Sequence, residues 1–366
     1  MPGIGGNLSV LQSLHYVAET HPRHWRYRHP GIAVIDSLLA PAADRSPSPY
    51  SVRALTRDPS SGRATELAAK GVEVVQGDTD HLATVSSALK GVWGAWVNVD
   101  TFSVGEVKEV FAGLRIFELA HQAGVRHYVW SSLDYISKIS GYNDLYRSEH
   151  HDAKGRVAEF MRLSPSVVSD TTLSWTVVTT GPCMDMINSA SLIDPLRAAG
   201  QLADGTFVFA SPLTKGHMPL IALKDVGFWA RWTFDNREAS SRKRLDVASQ
   251  MVTWSDIVAA FTKVTGKTAI FQPVSLDEWL SLIQNPDRPV AHGRINSMSY
   301  RQNFSAWWTT YDHDLITRDT DWIRSVHPGN RSVEDSMRET SYDGSINMNL
   351  LKDIEDNKMP RLVGSS

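Results

Sequence analysis

Residues 51–59 read SVRALTRDP, residues 71–80 read GVEVVQGDTD, and residues 91–101 read GVWGAWVNVDT. Each run is short, rich in Val and bounded by Gly, Asp or Pro, and a segment of helical length separates it from the next. Runs of this kind predict parallel strands buried on both faces, with crossover helices between them. The stretch therefore predicts an α/β fold built on a doubly wound parallel sheet.

The residues that close these runs are the first candidates for a binding site. Ligands of such sheets sit beyond the carboxyl ends of the strands. The candidates are Thr56 with Arg57, Gly77 with Asp78, and Val99, Asp100 and Thr101.

The composition is typical of an intracellular enzyme or binding protein. The chain has 366 residues, 42% of them hydrophobic, and a formal charge of −3, which allows one large α/β domain with a smaller lobe and argues against direct nucleic-acid binding. The lone Cys183 excludes a disulfide framework and a thiolate metal cluster. Neither a membrane-spanning run nor a leader pattern is expected, so the predicted location is the cytoplasm, or cytoplasm and nucleus.

Three crossover helices are predicted between residues 60 and 125. Residues 65–70 and 82–90 are expected to form crossover helices that end at Gly71 and Gly91, since glycine suits a left-handed cap. The third helix ends at Gly124. Its predicted apolar face carries Val107, Val110, Phe111, Leu114 and Phe117.

Strands at 125–130 and 173–181, with a helix at about 152–163 between them, bring the predicted strands to at least five. Prolines and glycines then divide the chain into shorter pieces. We therefore place a domain boundary between residues 181 and 182. Residues 1–181 are expected to form a nucleotide-binding domain whose first 50 residues are atypical, and residues 182–366 a substrate-binding or partner-binding lobe.

Six motifs in order resemble the NmrA-like family, atypical members of the short-chain dehydrogenase/reductase superfamily. They are VRALTRDP (52–59), VEVVQGD (72–78), AGVRHYVWSS (123–132), HHDAK (150–154), MPLIALKDVG (218–227) and RDTDWIRSVHPGNRSVEDSM (318–337). The resemblance implies a Rossmann-like domain that binds NADP(H) or NAD(H), with a small carboxyl-terminal α/β lobe closing over it. Members of the family are either oxidoreductases or redox sensors that bind transcription factors.

Arg57 bears on the choice of cofactor. A guanidinium at this strand end favours the 2′-phosphate of NADP, whereas an acid would select NAD. The alternative is an exposed Arg at a strand end, and the neighbouring Asp58 keeps NAD open. The resemblance places Asp78 near the adenine, unless it is a turn or N-cap aspartate. It also places Val99, Asp100 and Thr101 beside the cofactor, although the family often has Thr-Asn there.

The glycine-rich loop of a dinucleotide fold has two candidate positions. Gly3, Gly5 and Gly6 precede a predicted helix at residues 8–17, but almost nothing precedes them to form the first strand. Gly31, with the helical run that follows it, is the second candidate. Three explanations remain open: a truncated or misassigned amino terminus, which we favour, a natural loss of the loop, or an unconventional loop built from the first three glycines.

Chemistry is expected around His150 and Lys154. Short-chain dehydrogenases carry Tyr and Lys four residues apart on one helix face, where the Tyr delivers the proton. Here His150 replaces the Tyr. The resemblance places Lys154 at the nicotinamide ribose, the alternative being a solvated helix Lys, and we expect its removal to abolish turnover without unfolding. His150 is a candidate general acid, with a spacer role as the alternative.

Further candidates follow from the resemblance. Ser132 ends a strand where the superfamily often keeps a hydroxyl that orients a substrate carbonyl. The segment containing Cys183, Met184 and Asp185 is expected near the nicotinamide, with a buried, unreactive thiol as the simpler interpretation of Cys183. No metal site is expected, because adjacent helical residues such as His150 and His151 point in different directions.

The predicted function is an NADP(H)-dependent oxidoreductase acting on a small organic carbonyl or enone, with NAD as the second cofactor choice. The alternative is a non-enzymatic NAD(P)-sensing regulator that binds a transcription factor. The missing Tyr favours the regulator, and the aromatic second lobe favours the enzyme.

Overall fold

The computed structural model describes residues 6–14, 30–42, 44–188, 198–283, 285–291 and 296–345, with residues 6–14, 188 and 198–200 described by backbone alone. The strands in these ranges are β1 (Gly6–Leu14), β2 (Tyr50–Thr56), β3 (Glu73–Gln76), β4 (Gly94–Asn98), β5 (His127–Ser132), β6 (Ser174–Thr179), β7 (Ala198–Gln201), β8 (Phe207–Ser211), β9 (Met218–Leu220), β10 (Lys243–Asp246), β11 (Gln250–Val252) and β12 (Ala269–Pro273).

Helices alternate with the strands of the first half and dominate the second. They are α1 (Pro30–Leu39), α2 (Gly62–Ala69), α3 (Leu82–Ala88), α4 (Thr101–Val104), α5 (Glu106–Gln122), α6 (Ile136–Ile139), α7 (Glu149–Leu163), α8 (Leu223–Asp235), α9 (Arg237–Ser240), α10 (Trp254–Thr265), α11 (Leu276–Ser281), α12 (Tyr300–Asp312), α13 (Thr320–Val326) and α14 (Val333–Glu339). Short 3₁₀ helices lie at Asp144–Tyr146 and Met184–Asn188. None of the helices in the described ranges combines the length and hydropathy that a membrane crossing requires.

The central sheet confirms the predicted fold class. Its seven strands are ordered β10-β6-β5-β4-β1-β2-β3, and every neighbouring pair is parallel. The direction of winding reverses between β1 and β4, which is where doubly wound sheets form a ligand crevice at the carboxyl ends of their strands. Gly71, Gly91 and Gly124 end their helices with positive φ, as expected.

The amino-terminal segment corrects the sequence-based prediction. Residues 8–14 belong to strand β1 and not to a helix, and β1 lies between β2 and β4 with Gly6 opposite Tyr50. A short run such as NLSVLQSL suits a strand or a helix by pattern, and pairing on both sides selects the strand. The first strand that we expected to be missing is therefore present, and α1 begins at Pro30, next to the second glycine candidate, Gly31.

The buried face of α5 also differs from the prediction. Val107 is 80% exposed and Phe111 59% exposed, whereas Phe117 is buried as predicted, and the other buried residues are Glu109, Ala112, Gly113, Ile116, Leu119 and Ala120. A Cβ on Gly113 would lie 2.6 Å from Val157 and 3.1 Å from Trp130. The close approach of α5 to Val157 on α7 and to Trp130 on β5 therefore requires a glycine at this position.

The chain after residue 182 forms a second core and also returns to the first sheet. The second core contains Trp254, Trp279, Trp307 and Trp308, all buried. β10 joins the central sheet beside β6, and α8 packs on α1, where a Cβ on Gly227 would strike the backbone of Ala33. The domain boundary at residue 182 stays a prediction. It does not include the return of β10 to the central sheet or the packing of α8 on α1.

Candidate functional site

The tip of β4 turns directly into α4 and α5. Asp100 caps α4, since its carboxylate accepts hydrogen bonds from Phe102 N at 3.1 Å and Ser103 Oγ at 2.5 Å. Val99 and Thr101 on either side of it are buried. The three predicted residues therefore form a rigid turn at the carboxyl edge of the sheet.

Lys154 projects from α7 onto this turn. Its Nζ donates to Asn98 Oδ1 at 3.1 Å, to the Val99 carbonyl at 2.5 Å and to Glu109 Oε1 at 2.7 Å, and its side chain is 10% exposed. An ammonium has three N–H donors, and here each has an acceptor. The structure thus brings together Lys154, Val99 and, through Glu109, Thr101.

Glu109 is a residue of this site that the sequence analysis did not select. It is 0% exposed, and it accepts a hydrogen bond from Thr101 Oγ1 in addition to the one from Lys154. Burial raises the pKa of the Glu109 carboxyl, and the Lys154 ammonium opposes that rise. Spacing could have revealed it, because Glu109 lies three, four and seven residues before Ala112, Gly113 and Ile116 on the buried face.

His150 is enclosed beside this cluster. Its Nδ1 lies 3.1 Å from Ser148 Oγ and 3.1 Å from Asn303 Nδ2, and its ring packs against Phe102 and Phe304 at centroid distances of 5.0 and 5.8 Å. Burial lowers the pKa of His150 well below its usual value. The imidazole is therefore neutral near pH 7, which opposes a role as a general acid.

Ser132 ends β5 at the same edge of the sheet. It is 1% exposed, its Oγ donates to the Leu133 carbonyl at 3.1 Å, and its own carbonyl accepts from Thr180 N. These bonds tie Ser132 to the connections after β5 and β6. Its role as a substrate-orienting hydroxyl remains a prediction.

Arg57 and Asp78 follow β2 and β3. Arg57 is half-buried, and its carbonyl accepts a hydrogen bond from Gln76 Nε2 at 3.3 Å. Asp78 Oδ1 accepts from the backbone N–H groups of Asp80 and His81 at 2.8 and 2.9 Å, so Asp78 has the turn-forming role given as the alternative. A second guanidinium, that of the buried Arg63, comes six residues after Arg57 and was not singled out from the sequence.

Hydrogen bonds anchor the segment after β6 to the start of α8 and to the residues just before it. Met184 N donates to the Ile221 carbonyl at 2.8 Å, and Asp185 Oδ2 accepts from Leu223 N at 3.2 Å, at the first residue of α8. Burial raises the pKa of the Cys183 thiol to about 12. The two hydrogen bonds supply structural roles for Met184 and Asp185, and the raised pKa fits the simpler interpretation of Cys183 as an unreactive thiol.

Gly6 lies at the amino end of β1, opposite the edge where Lys154 and the β4 tip meet. Its predicted place at a helix start is therefore wrong. Gly3 and Gly5 lie outside the described residues.

A buried ion pair joins the tip of β5 to the segment before α13. Asp134 accepts from Arg318 Nη2 at 2.7 Å and from Arg318 Nη1 at 3.2 Å, and both side chains are almost fully buried. Arg244 from β10 adds a more exposed contact to Asp134 at 3.1 Å. This pair holds the segment before α13 against the carboxyl edge of the sheet.

A second buried carboxylate explains two of the sequence motifs. Asp225 of the 218–227 motif accepts from Arg331 Nη1 at 2.7 Å and Ser249 Oγ at 2.5 Å, and its Oδ1 lies 2.9 Å from His327 Nε2. His327 and Arg331 belong to the 318–337 motif. The two motifs therefore meet and hold the segment from His327 to Arg331 on α8.

The site fits a dinucleotide at two positions. Arg57 follows β2, where a 2′-phosphate would need a guanidinium, and Lys154 supplies N–H donors at the β4 tip. In the sequence, no glycine occurs between Gly6 and Gly31, so the usual glycine-rich cradle after β1 is not repeated in this chain. With its strand order and its lysine at the β4 tip, the protein is of the class of Rossmann-like proteins.

Comparison with known proteins then gives the family. The NmrA-like family model matches residues 31–325, and the chain belongs to that family. An NmrA-like family domain-containing oxidoreductase of Malbranchea aurantiaca is 26% identical over 300 residues, which are 79% of this chain and 85% of that protein. One from Aspergillus hancockii is 27% identical over 239 residues, which are 63% of this chain and 69% of that protein.

Solved structures support the fold. NmrA, a negative transcriptional regulator solved in complex with NADP, aligns with a TM-score of 0.67 at 18% identity, covering 91% of this chain and 94% of that one. An NADPH-dependent quinone oxidoreductase from Escherichia coli aligns with a TM-score of 0.61 at 18% identity, covering 91% and 99%.

Proposed function

We propose that this protein is an NADP(H)-dependent oxidoreductase that reduces a small organic carbonyl, with an enone or quinone as the preferred substrate class. The observation that carries the proposal is the Lys154 ammonium at the β4 tip, within reach of the sheet's carboxyl edge and held by Asn98, Val99 and Glu109. Its relatives of several fungal species are named as NmrA-like oxidoreductases, which supports catalysis over binding alone.

NADP is the proposed cofactor, and NAD is the second choice. Arg57 supports NADP because a guanidinium pairs with a 2′-phosphate through charge-assisted hydrogen bonds. The solved NmrA structures include complexes with NADP and with NAD, so the overall fold accommodates both dinucleotides in that protein. Lys154 would hold the nicotinamide ribose.

The protein groups near Lys154 favour a conjugated carbonyl over a simple ketone. When bound, a reduced nicotinamide supplies a hydride. His150 occupies the position of the usual Tyr acid, and its buried ring is neutral, so it is a poor proton donor. An enolate or hydroquinone anion is a weaker base than an alkoxide, so water can protonate it without an enzymic acid. The Escherichia coli protein of similar fold is named as a quinone oxidoreductase.

The proposal is tested by NADPH fluorescence titration and by NADPH consumption with matched pairs of substrates, each an enone and its saturated ketone. We expect NADPH to bind more tightly than NADH, and consumption to depend on the enone or quinone. Binding without consumption across the panel would contradict the enzyme proposal.

A second candidate function is a redox sensor that binds a protein partner. His150 in place of the Tyr favours it, and the similar NmrA structure is that of a negative transcriptional regulator. A sensor must bind its partner differently in its NADP- and NADPH-bound states, because a ligand shifts an equilibrium only through differential affinity. Partner affinity that tracks the ratio of NADP to NADPH, measured in a pull-down at fixed total nucleotide, would support this alternative.

A further inference from the structure

We propose that Glu109 is a positioning residue that fixes the orientation of the Lys154 ammonium, so that one defined N–H faces the ribose of the cofactor. The inference rests on the proposed function for the identity of the ligand. The order that Glu109 imposes on Lys154 exists before any ligand binds.

The first step of the argument is the environment of the carboxylate. Glu109 is 0% exposed, and its two oxygens are each used, one by Lys154 Nζ at 2.7 Å and the other by Thr101 Oγ1. A carboxylate held at both oxygens in a buried site has little freedom to rotate. A surface Lys would keep its rotamer freedom, whereas this one is tethered at its charged end.

The second step concerns which N–H of Lys154 remains available. Val99 contributes a backbone carbonyl at 2.5 Å and Glu109 a buried carboxylate at 2.7 Å, and neither acceptor can turn away without disturbing the β4 tip or α5. Asn98 is half-buried, and its side-chain Oδ1 makes the longest of the three contacts, at 3.1 Å. The donor directed at Asn98 is therefore the one that a ribose hydroxyl can take over.

The third step separates this role from simple structural pairing. A purely structural ion pair would affect stability and leave dinucleotide affinity unchanged in folded protein. A positioning residue acts through Lys154, so its removal should weaken binding only while Lys154 is present. A double-mutant cycle measures this dependence.

The first measurement uses the full-length protein without added nucleotide. Lysine Nζ protons exchange slowly enough for ¹H–¹⁵N spectroscopy only when the ammonium is held by ordered acceptors. We expect a resolved Lys154 Nζ signal, identified by its loss in Lys154→Arg. The signal should broaden in Glu109→Gln and survive in Glu118→Gln, a matched change on the exposed face of α5, where Glu118 pairs with Arg115.

The second measurement is NADPH titration of the same variants. Glu109→Gln should lower the affinity for NADPH by about tenfold, which corresponds to about 1.4 kcal/mol of binding free energy. Lys154→Met should lower the affinity for NADPH at least as much. The double variant Lys154→Met/Glu109→Gln should bind NADPH no more weakly than Lys154→Met. If Glu109→Gln is poorly folded, Thr101→Val provides the second variant, since it removes one hydrogen bond to Glu109 and keeps both charges.

The outcomes are distinguishable. A sharp Lys154 Nζ signal in folded Glu109→Gln overturns the positioning role, as do losses of affinity that simply add in the double variant. If the wild-type protein shows the ordered Lys154 signal but NADPH neither binds nor shifts it, the proposed function fails. The claim that Lys154 faces a ribose then fails as well, whereas the claim that Glu109 orders Lys154 stands.

Discussion

Replacing Lys154 by methionine should destabilise the protein as well as remove a cofactor contact. Removing one partner of a buried ion pair costs about 3–5 kcal/mol, because the remaining charge loses its compensation. Glu109 fits this case, since it is 0% exposed and its Oε1 lies 2.7 Å from Lys154 Nζ. This adds a cost in stability to the expectation, drawn from the sequence, that the same substitution would abolish turnover without unfolding the protein.

The loss should depend on pH in a defined direction. Without the ammonium, burial raises the folded-state pKa of Glu109 further above its unfolded value, so the protonated carboxyl is favoured in the folded state. The destabilisation by the unpaired Glu109 carboxylate is complete above its pKa in the folded state and disappears below its pKa in the unfolded state, about 4.3. The deficit of Lys154→Met relative to wild type should therefore shrink as the pH falls from about 8 towards 4.

Urea unfolding, followed by circular dichroism and by tryptophan fluorescence, measures the loss as a shift in midpoint at constant m. Lys108→Met is the matched control, because Lys108 pairs with Asp80 at 3.0 Å and both side chains are about half exposed, so its loss should stay below about 1 kcal/mol. Lys154→Met/Glu109→Gln should recover most of the lost stability. Equal losses for Lys154→Met and Lys108→Met, or a deficit that grows at low pH, would refute the reasoning.

Three other predictions concern cofactor choice, the lobe contact and the thiol. Arg57→Ala should weaken NADPH binding by about 1–3 kcal/mol and leave NADH binding nearly unchanged in parallel titrations. Equal losses for the two nucleotides would contradict a role of Arg57 in selecting the 2′-phosphate. Arg318→Met should cost about 3–5 kcal/mol in urea unfolding because its carboxylate partner stays buried, while the more exposed Arg244→Met should cost less than about 1 kcal/mol. With its pKa raised to about 12, Cys183 should react with a maleimide far more slowly in native than in urea-unfolded protein. Similar rates in the two states would contradict the raised pKa of this thiol.

Local sequence signals predicted most of the sheet. The Val-rich runs that became β2, β3 and β4 and the glycines that end α2, α3 and α5 were recognised correctly. These features depend on side-chain shape and backbone freedom within a few residues, and such preferences can be read from a single sequence. The roles expected for the β4 tip and for Lys154 came from the family resemblance and stay predictions.

The errors concern features that neighbouring residues do not specify. Residues 8–14 suit a helix or a strand by pattern, and only the positions of β2 and β4 on either side of β1 select the strand. The apolar positions of α5 placed Val107 and Phe111 on the buried face together with Phe117, but only Phe117 is buried, because the positions of β5 and α7 decide which side of α5 packs inward.

The partners of the buried charges depend on the folded arrangement for the same reason. Glu109 meets Lys154 across 45 positions of the chain, and Asp134 meets Arg318 across 184. Helical spacing could have placed Glu109 on the buried face of α5, but nothing in its neighbouring sequence identifies Lys154 as the cation that pairs with it. The free energy that separates an exposed Glu from a buried one comes from desolvation and from a cation carried by another element, and both exist only once the elements have packed.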